Sequence, residues 1–415
     1  MKIARVQSFL LSYRFPEALK LTYFGGERTI VKRDAMLVRV EGERGLVGYG
    51  PGQGSEKAHA MISDVVAPFL EGRTLADPDA LRAMFRMGPG ADPEVFKIYC
   101  MVEVALYDLL GKELGVPVSE LVGGRVRDTI TLYGSAGMYQ PAEGFAREAE
   151  GIAALGYRGY KMRPALGPEE DVRAVELMRE AVGSSMELMV DAHSWWRMGD
   201  RSYTPETIEQ LAKEMGSFDI AWLEEPLPPD DHNAYRVLRD TGYVPLASGE
   251  HEPSEDRFID LIASQAVDFV QMDVVCQGGY ATGQRILSMA QRQNIAFAFH
   301  CWGTDLEVMA AAHLGICWPE TVSSWLEQAV YTDEGVRSMY AFPLARRILR
   351  TPLPVDHGEL TVPAAPGLGV EVDESVITEF PWIPGPWSYF TLTSPPMTYA
   401  ITSDHSVKWS AEGTS

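Results

Sequence analysis

Between residues 130 and 328, eight short apolar segments alternate with longer amphipathic segments. The longer segments include PEEDVRAVELMREAV and TPETIEQLAKEM, whose apolar residues recur at helical spacing. Eight strand–helix units of this kind are typical of a (β/α)8 barrel, in the α/β class. A doubly wound parallel sheet is the alternative, but no GxGxxG motif follows any candidate strand. The candidate strands are ITLYGSA (130–136), GYKMR (159–163), ELMVDAH (187–193), IAWLEEP (220–226), PLASGEH (245–251), FVQMDVV (269–275), IAFAFHC (295–301) and SSWLEQ (323–328).

The residues that flank this pattern predict a second unit of mixed α and β structure. In residues 1–128, AMLVRV (35–40) and LVGYG (46–50) form a candidate β-hairpin. Residues 129–350 would form the barrel. Residues 351–415 are rich in Pro and Gly, and we expect them to return to the first unit and to end in a polar tail of about twenty residues. Helices are expected near 56–71, 78–86 and 94–114, the last ended by Gly115 and Pro117.

The charge balance limits the kinds of binding partner that we expect for this protein. Lys and Arg number 36 against 58 Asp and Glu, a net charge of −22, which repels nucleic-acid backbones and anionic membranes. We therefore expect no nucleic-acid partner and no membrane partner. No run approaches 18 apolar residues, and the N-terminus lacks the apolar core of a signal peptide. The four cysteines form no CxxC pattern, as expected of reduced thiols in a cytoplasmic protein.

From the second candidate strand onward, each strand ends in polar or ionisable side chains. Because the carboxyl ends of barrel strands all open on one face, these side chains should converge on one pocket. Residues two apart on a strand also point to the same side. The strand-end residues are, in chain order, Lys161, Arg163, Asp191, His193, Glu224, Glu250, Asp273, His300 and Glu327.

Three of these residues, Asp191, Glu224 and Glu250, would bring carboxylates together. Unpaired, they would repel one another and raise their pKa values, whereas a divalent cation would remove the repulsion. Carboxylate and water ligands favour Mg²⁺ or Mn²⁺ over Zn²⁺. The alternative is that each carboxylate only caps a helix or keeps the barrel end soluble.

His300 and Asp273 end neighbouring strands. A carboxylate beside an imidazole fixes its tautomer and raises its basicity, which suits a general base. The alternative for His300 is a structural histidine in the core.

The ordered set of motifs resembles the mandelate racemase group of the enolase superfamily. The motifs are KMR at 161–163, VDAH, WLEEP, SGEHE, MDVV, FHCWG and WLEQ, with ALYDLLGKELGVPVSELVGG (105–124) ahead of the barrel. The resemblance covers roughly residues 1–390. It implies a modified (β/α)7β barrel under an N-terminal α+β capping domain, and Mg²⁺ bound by Asp191, Glu224 and Glu250. It also implies removal of a proton α to a carboxylate, with Lys161 or Arg163, and Glu327 if protonated, stabilising the enediolate.

Two residues depart from the racemase pattern, in which the second strand carries Lys-x-Lys and Asn lies two residues after the first metal ligand. Arg163 stands where the second lysine would act as a base, and a guanidinium keeps its proton. His193 stands where the Asn would be, as in acid-sugar dehydratases of the superfamily, in which such a histidine protonates the leaving hydroxyl. A histidine that only hydrogen-bonds a metal ligand is the alternative. His251 could also touch substrate or point away.

These features together predict a Mg²⁺-dependent dehydratase of an acid sugar, an aldonate or an aldarate, in a cytoplasmic homo-oligomer. The alternative is a racemase or epimerase that uses Lys161 opposite His300, and a non-catalytic carboxylate-binding protein on the same scaffold is a third reading. Specificity is expected from the loop at 21–30, where Tyr23, Glu27 and Arg28 are candidates and a flexible loop is the alternative.

Overall fold

A computed structural model describes residues 1–330, 340–402 and 407–410. Its N-terminal part is an antiparallel sheet with helices packed on it. The strands are β1 (Ile3–Tyr23), β2 (Gly26–Gly42) and β3 (Val47–Gly52), with β2 pairing to both others. The helices are α1 (Glu56–Met61), α2 (Ala67–Leu70), α3 (Pro78–Met87), α4 (Pro93–Leu114) and α5 (Val118–Leu121), with a π-helical turn at 62–66 between α1 and α2.

The longest helix of this part has the ends that the sequence predicts. The Asp92 side chain accepts a hydrogen bond from the backbone N–H of Glu94 at the start of α4. Gly115 ends α4 in the left-handed conformation (φ 72°), which a glycine adopts without steric cost. None of the helices in the described ranges has the length and apolar character needed to cross a membrane.

The second body is a closed barrel of eight parallel strands. Each strand pairs with the next in the chain, and β11 pairs with β4 to close the ring. All eight candidate strands are present, so the predicted barrel and its α/β class are confirmed. The strands are β4 (Thr129–Met138), β5 (Gly159–Arg163), β6 (Glu187–Asp191), β7 (Trp222–Glu224), β8 (Leu246–Ser248), β9 (Phe269–Met272), β10 (Ala296–Phe299) and β11 (Ser323–Ala329). The helices between them are α6 (Ala142–Ala154), α7 (Pro168–Val182), α8 (Pro205–Gly216), α9 (His232–Arg239), α10 (Glu255–Ala263), α11 (Gly279–Arg292) and α12 (Asp305–Gly315).

The C-terminal part contacts both bodies. It comprises α13 (Pro343–Arg347), β12 (Val355–Asp356), β13 (Glu359–Thr361), α14 (Val376–Glu379), β14 (Ser388–Thr393), β15 (Pro396–Ile401) and β16 (Val407–Ser410). β13 pairs with β4 of the barrel, and β14 pairs with β2 of the N-terminal sheet. The expectation of a polar tail is wrong for β15 and β16, because β15 pairs with β14 and β16 pairs with β15. The domain boundaries after residues 128 and 350 stay a prediction.

A layer of apolar side chains fills the barrel beneath its mouth. The side chains of Tyr133, Met189, Trp222, Ala247 and Ala298 are fully buried and pack on one another inside the ring of strands. Side chains two residues further along a strand point to the same side. Residues such as Glu224, two positions after Trp222, therefore stand directly above this layer, at the mouth.

A buried ion pair joins the N-terminal part to the barrel. The Arg82 guanidinium on α3 lies 2.5 Å from Glu103 Oε2 on α4 and also donates to Gly278 O (2.7 Å) and Thr282 Oγ1 (2.7 Å) on the barrel. Glu103 is fully buried, and this burial raises its pKa while the Arg82 charge opposes the shift. Arg82 therefore links the N-terminal part to the barrel, and the buried charges of Arg82 and Glu103 stabilise each other.

We expect Arg82→Met to lower the free energy of unfolding by about 3–5 kcal/mol, because it leaves the Glu103 carboxylate buried without its partner. The double variant Arg82→Met/Glu103→Leu should recover most of the loss. Urea and thermal unfolding measure both effects, with exposed Arg86→Met, one turn along α3, as the matched control. A double variant no more stable than Arg82→Met would contradict this account.

Candidate active site

The structure brings all nine strand-end residues together at the mouth of the barrel. Each is buried or largely buried, and polar contacts of 3.9 Å or less link them into one cluster. This proximity follows from the fold, because every one of them lies at or just beyond the carboxyl end of a parallel strand. The linked residues are Lys161, Arg163, Asp191, His193, Glu224, Glu250, Asp273, His300 and Glu327.

The carboxylates of Asp191, Glu224 and Glu250 form the centre of the cluster. One oxygen from each lies within 4.8 Å of the other two, close enough to ligate a single ion. Asp191 Oδ2 is buried and accepts no aligned hydrogen bond, although Arg163 Nε lies 3.0 Å away. Burial raises the pKa of Glu224 to about 8, with Lys161 opposing the shift and Asp191 adding to it. Three hard oxygen donors that destabilise one another's charge fit a divalent cation such as Mg²⁺.

Two buried cations lie under these carboxylates, on β5. Lys161 Nζ is 2.5 Å from Glu224 Oε1 and 3.1 Å from Glu327 Oε1. Burial lowers the pKa of Lys161, but the surrounding carboxylates outweigh it and the net shift is upward. The carboxylates around Lys161 therefore favour its charged form.

Arg163 is held in place from several sides. Its guanidinium lies 3.0 Å from Asp191 Oδ2 and 3.4 Å from Glu327 Oε1, and it donates to Ser135 Oγ at 3.0 Å. The Trp302 ring stacks on it, with 4.1 Å between the guanidinium carbon and the ring centroid. Burial opposes its charge, but the carboxylates raise its pKa overall. Arg163 thus contributes a fixed positive charge.

His300 and Asp273 adopt the arrangement of a base and its orienting carboxylate. His300 Nδ1 lies 3.4 Å from Asp273 Oδ2, and Asp273 Oδ1 accepts hydrogen bonds from the backbone N–H groups of Val275 and Cys276. The other ring nitrogen, Nε2, lies 3.3 Å from Glu250 Oε2. Burial lowers the pKa of His300, but Glu250 and the other carboxylates raise it to about 10. Nε2 is therefore the nitrogen that faces the carboxylate cluster.

Glu327 lies beside the two cations of β5, and its role as a protonated donor stays a prediction. Its Oε1 lies near Lys161 and Arg163, and its Oε2 accepts a hydrogen bond from the backbone N–H of Cys301 at 3.2 Å. Burial raises the pKa of Glu327, but Lys161 and its other cationic neighbours lower it overall. The carboxylate form is favoured, because cations on two strands surround it.

Two histidines flank the cluster, and their ring nitrogens are used differently. His193 Nδ1 lies 2.7 Å from Asp191 Oδ1, and no described residue bonds its Nε2. His251 has both nitrogens engaged, Nδ1 at 2.6 Å from Glu225 Oε2 and Nε2 at 2.9 Å from the Arg197 guanidinium. Only His193 therefore offers a ring nitrogen to a bound molecule without losing a contact.

Several residues that support the cluster were missed from the sequence. Trp222 Nε1 and Gln271 Nε2 both donate to Glu224 Oε2, at 2.9 and 2.7 Å. Each lies two residues before a strand-end acid, so the period of two along a strand could have indicated them. The stacking of Trp302 on Arg163 had no comparable signal, because it joins the end of β5 to the distant loop after β10.

Two family models match the chain. Residues 144–376 match the enolase C-terminal domain-like model, and residues 26–123 match the N-terminal domain model of mandelate racemase and muconate lactonizing enzyme. The first match alone spans more than half of the chain.

Known proteins align over nearly their whole length. A D-galactarolactone cycloisomerase of Agrobacterium fabrum is 27% identical, over 92% of this chain and 99% of the relative. A D-galactonate dehydratase of Verminephrobacter eiseniae is 28% identical, over 83% of this chain and 90% of the relative. The crystal structure of the 3,6-anhydro-D-galactonate cycloisomerase from Zobellia galactanivorans superposes with a TM-score of 0.78 at 26% identity, covering 92% of this chain and 99% of that one. With its two-body fold and its matches to both domain models, this chain belongs to the mandelate racemase and muconate lactonizing enzyme family of the enolase superfamily.

Proposed function

We propose that this enzyme is a Mg²⁺-dependent hydro-lyase that dehydrates an acid sugar, an aldonate or an aldarate, to a 2-keto-3-deoxy acid. The observation that carries the proposal is the contrast between the two sides of the cluster. On one side stands the His300 imidazole, with Nδ1 3.4 Å from Asp273 Oδ2 and Nε2 toward the carboxylates. The other side holds Arg163, a guanidinium that does not act as a base, and Lys161, whose Nζ lies within 3.9 Å of three carboxylates. One base suits an elimination, and a racemase needs a base on each face of the α-carbon. The relatives that act on galactonate and galactarolactone support an acid-sugar substrate.

The proposed reaction begins at the carbon next to the substrate carboxylate. His300 Nε2 takes the proton from C2, and the electron pair of the C–H bond moves into the carboxylate to give an enediolate. Mg²⁺ held by Asp191, Glu224 and Glu250 would offset the negative charge on those oxygens. Lys161 and Arg163 add fixed positive charge beneath the carboxylates of Glu224 and Asp191.

The second half of the reaction expels the 3-hydroxyl. The electron pair returns to form the C2–C3 double bond, and the C3–O bond breaks as His193 Nε2 donates a proton, so that water leaves. His193 Nδ1 lies 2.7 Å from Asp191 Oδ1, so Nε2 is the ring nitrogen left to carry this proton. The enol that remains tautomerises to the 2-keto-3-deoxy acid.

The racemase alternative is less well supported by the site. It requires Lys161 to be neutral opposite His300, but Lys161 lies among three carboxylates that stabilise its charge. The relatives also leave room for a cycloisomerase, in which a ring oxygen rather than a hydroxyl would leave.

The proposal further includes the cytoplasmic location and the homo-oligomeric state expected from the sequence. The four free cysteines are consistent with a reducing compartment.

The proposed metal site is tested by replacing one of its three ligands. Glu224→Gln removes one of three anionic donors while keeping the shape of the side chain. We expect activity to fall on the order of 10³-fold, about 4 kcal/mol. The rise in melting temperature that Mg²⁺ produces in the parent enzyme should also be lost. Glu187→Gln, at the opposite end of the neighbouring strand β6, is the matched control. Activity that survives thorough chelation with EDTA would exclude a metal requirement.

The second prediction concerns the base. His300→Asn should stop both product formation and exchange of the C2 proton with solvent, by a factor on the order of 10²–10⁴. Asp273→Asn should lower both less, because it only orients and charges the imidazole. Exchange is followed by NMR in D2O, with exposed His357→Asn as the control. An effect of only a few-fold for His300→Asn would reject the assignment.

The third prediction separates the acid from the base. In His193→Asn, C2 deprotonation can continue while loss of the hydroxide is impaired, so deuterium should enter recovered substrate in D2O as product formation collapses. His251→Asn serves as the comparison, since both of its ring nitrogens are engaged by protein. Undiminished elimination in His193→Asn would assign both roles to His300. Epimerisation at C2 without any dehydration, across a broad panel of acid sugars, would favour the racemase alternative.

A further inference from the structure

The hairpin formed by β1 and β2 reaches over the mouth of the barrel. At its turn, the backbone N–H of Phe24 donates to Ala165 O at 2.7 Å, in the loop that follows β5. From the other side, the backbone N–H of Thr393 on β14 donates to Gly25 O at 2.9 Å. The residues of β2 just after this turn are therefore held against the loops that surround the proposed active site.

Arg28 lies on β2 in this position and is a buried cation for which the described residues supply no counter-ion. It is 7% exposed, and no carboxylate of the described chain lies within 4 Å of its guanidinium. Other buried cations here are paired, such as Lys32 with Asp34 at 3.0 Å and Arg82 with Glu103. A buried charge without a partner is costly, so one that is retained suggests a ligand that supplies the opposite charge.

The surroundings of Arg28 orient it without neutralising it. Its guanidinium lies over the rings of Trp387 and Phe390, at 5.0 and 4.8 Å from their centroids. Its Nε donates to Ser388 Oγ at 3.1 Å, and one terminal nitrogen lies 3.7 Å from Met138 Sδ. These contacts use the ring faces, Nε and one donor of Nη1, so the guanidinium retains N–H donors for a carboxylate.

A second polar group without a partner lies beside it. Tyr23 is 4% exposed, and its hydroxyl makes no hydrogen bond. Leu21 pairs with Arg28 in the hairpin register, so Tyr23, two residues later, points to the same face. The two groups are near enough that the Arg28 charge opposes the rise in the pKa of Tyr23 that burial causes.

Both groups are close to the reacting residues. Met138, which Arg28 touches, pairs in register with Arg163, and Arg163 Nε lies 3.0 Å from Asp191 Oδ2. The Tyr23 ring lies 5.3 Å from that of Tyr139, whose hydroxyl is 2.7 Å from Ser194 Oγ, next to His193 in the chain. Through these contacts Arg28 adjoins Arg163, and Tyr23 adjoins the loop that carries His193.

From this arrangement we infer that Arg28 and Tyr23 bind a second, distal carboxylate of the substrate. The inference rests on the proposed function and narrows its substrate class to aldarates, the dicarboxylic acid sugars. A terminal hydroxymethyl group, as in an aldonate, could bond the Tyr23 hydroxyl but would leave the charge of Arg28 uncompensated. A carboxylate satisfies both, because it accepts from a guanidinium fork and from a phenol at once.

The test uses acid pairs that differ only at the terminal carbon: galactarate with galactonate, glucarate with gluconate, and mannarate with mannonate. With Mg²⁺ present, the wild type should prefer the aldarate of its best pair at least tenfold in kcat/KM. Arg28→Gln should bring that ratio close to one, and Arg28→Lys should restore part of it. Tyr23→Phe should lower the ratio several-fold. Lys20→Gln, an exposed cation on the same hairpin, should leave the ratio unchanged.

Thermal melting with each acid gives a readout that does not require turnover. Aldarates should raise the melting temperature of the wild type more than aldonates do, and Arg28→Gln should lose this difference. Equal response to both acids in the wild type, or an unchanged preference in Arg28→Gln, would overturn the inference. If Arg28→Gln does not fold, Tyr23→Phe decides, since an equal loss with both acids would also overturn it. Preferential stabilisation by aldarates that depends on Arg28, with no dehydration of any acid, would support the inference while refuting the proposed function.

Discussion

At the barrel mouth, buried charges of opposite sign stabilise one another, and the rest of the site depends on this constraint. Carboxylates from several strands converge there, and burial alone would drive them to take up protons. Lys161 and Arg163 oppose this by lying beneath them, and each of the two cations is itself stabilised by at least two carboxylates. Removing any one member would leave its partners with a charge that the interior does not solvate. The ionisation state of the site is therefore a property of the whole cluster.

The same principle separates structural charges from those available for function. At the junction of α3, α4 and the barrel, Arg82 and Glu103 neutralise each other and leave nothing for a ligand. At the mouth, three buried polar groups lack a full set of hydrogen-bond or charge partners among the described residues. They are Asp191 Oδ2, the Tyr23 hydroxyl and the Arg28 guanidinium. Buried polar groups without full partners are rare in folded proteins, and each calls for an explanation. These three groups lie in or beside the proposed site.

The surface that covers the barrel mouth, formed by β2 and β14, is built from both ends of the chain. β14 pairs with β2 and supplies Trp387, Ser388 and Phe390 around Arg28, so residues near position 390 orient a side chain near position 30. The N-terminal part does not make this surface alone. The orientation of Arg28 is thus coupled to the return of the C-terminal segment, which the sequence predicts, and to its pairing with β2, which the sequence does not predict.

The amino-acid sequence by itself determined the barrel, the nine residues at its mouth and the family. Strand alternation has a period of two, and parallel strands end at one edge, so local pattern was enough to predict which side chains converge. Only the tertiary structure decided which neighbours shift the pKa of Lys161 upward and that of Glu327 downward, because those neighbours come from other strands. It also decided the strands at 388–410 and the lack of a counter-ion for Arg28, since strand pairing and charge pairing across more than 300 residues leave no local trace in a single sequence.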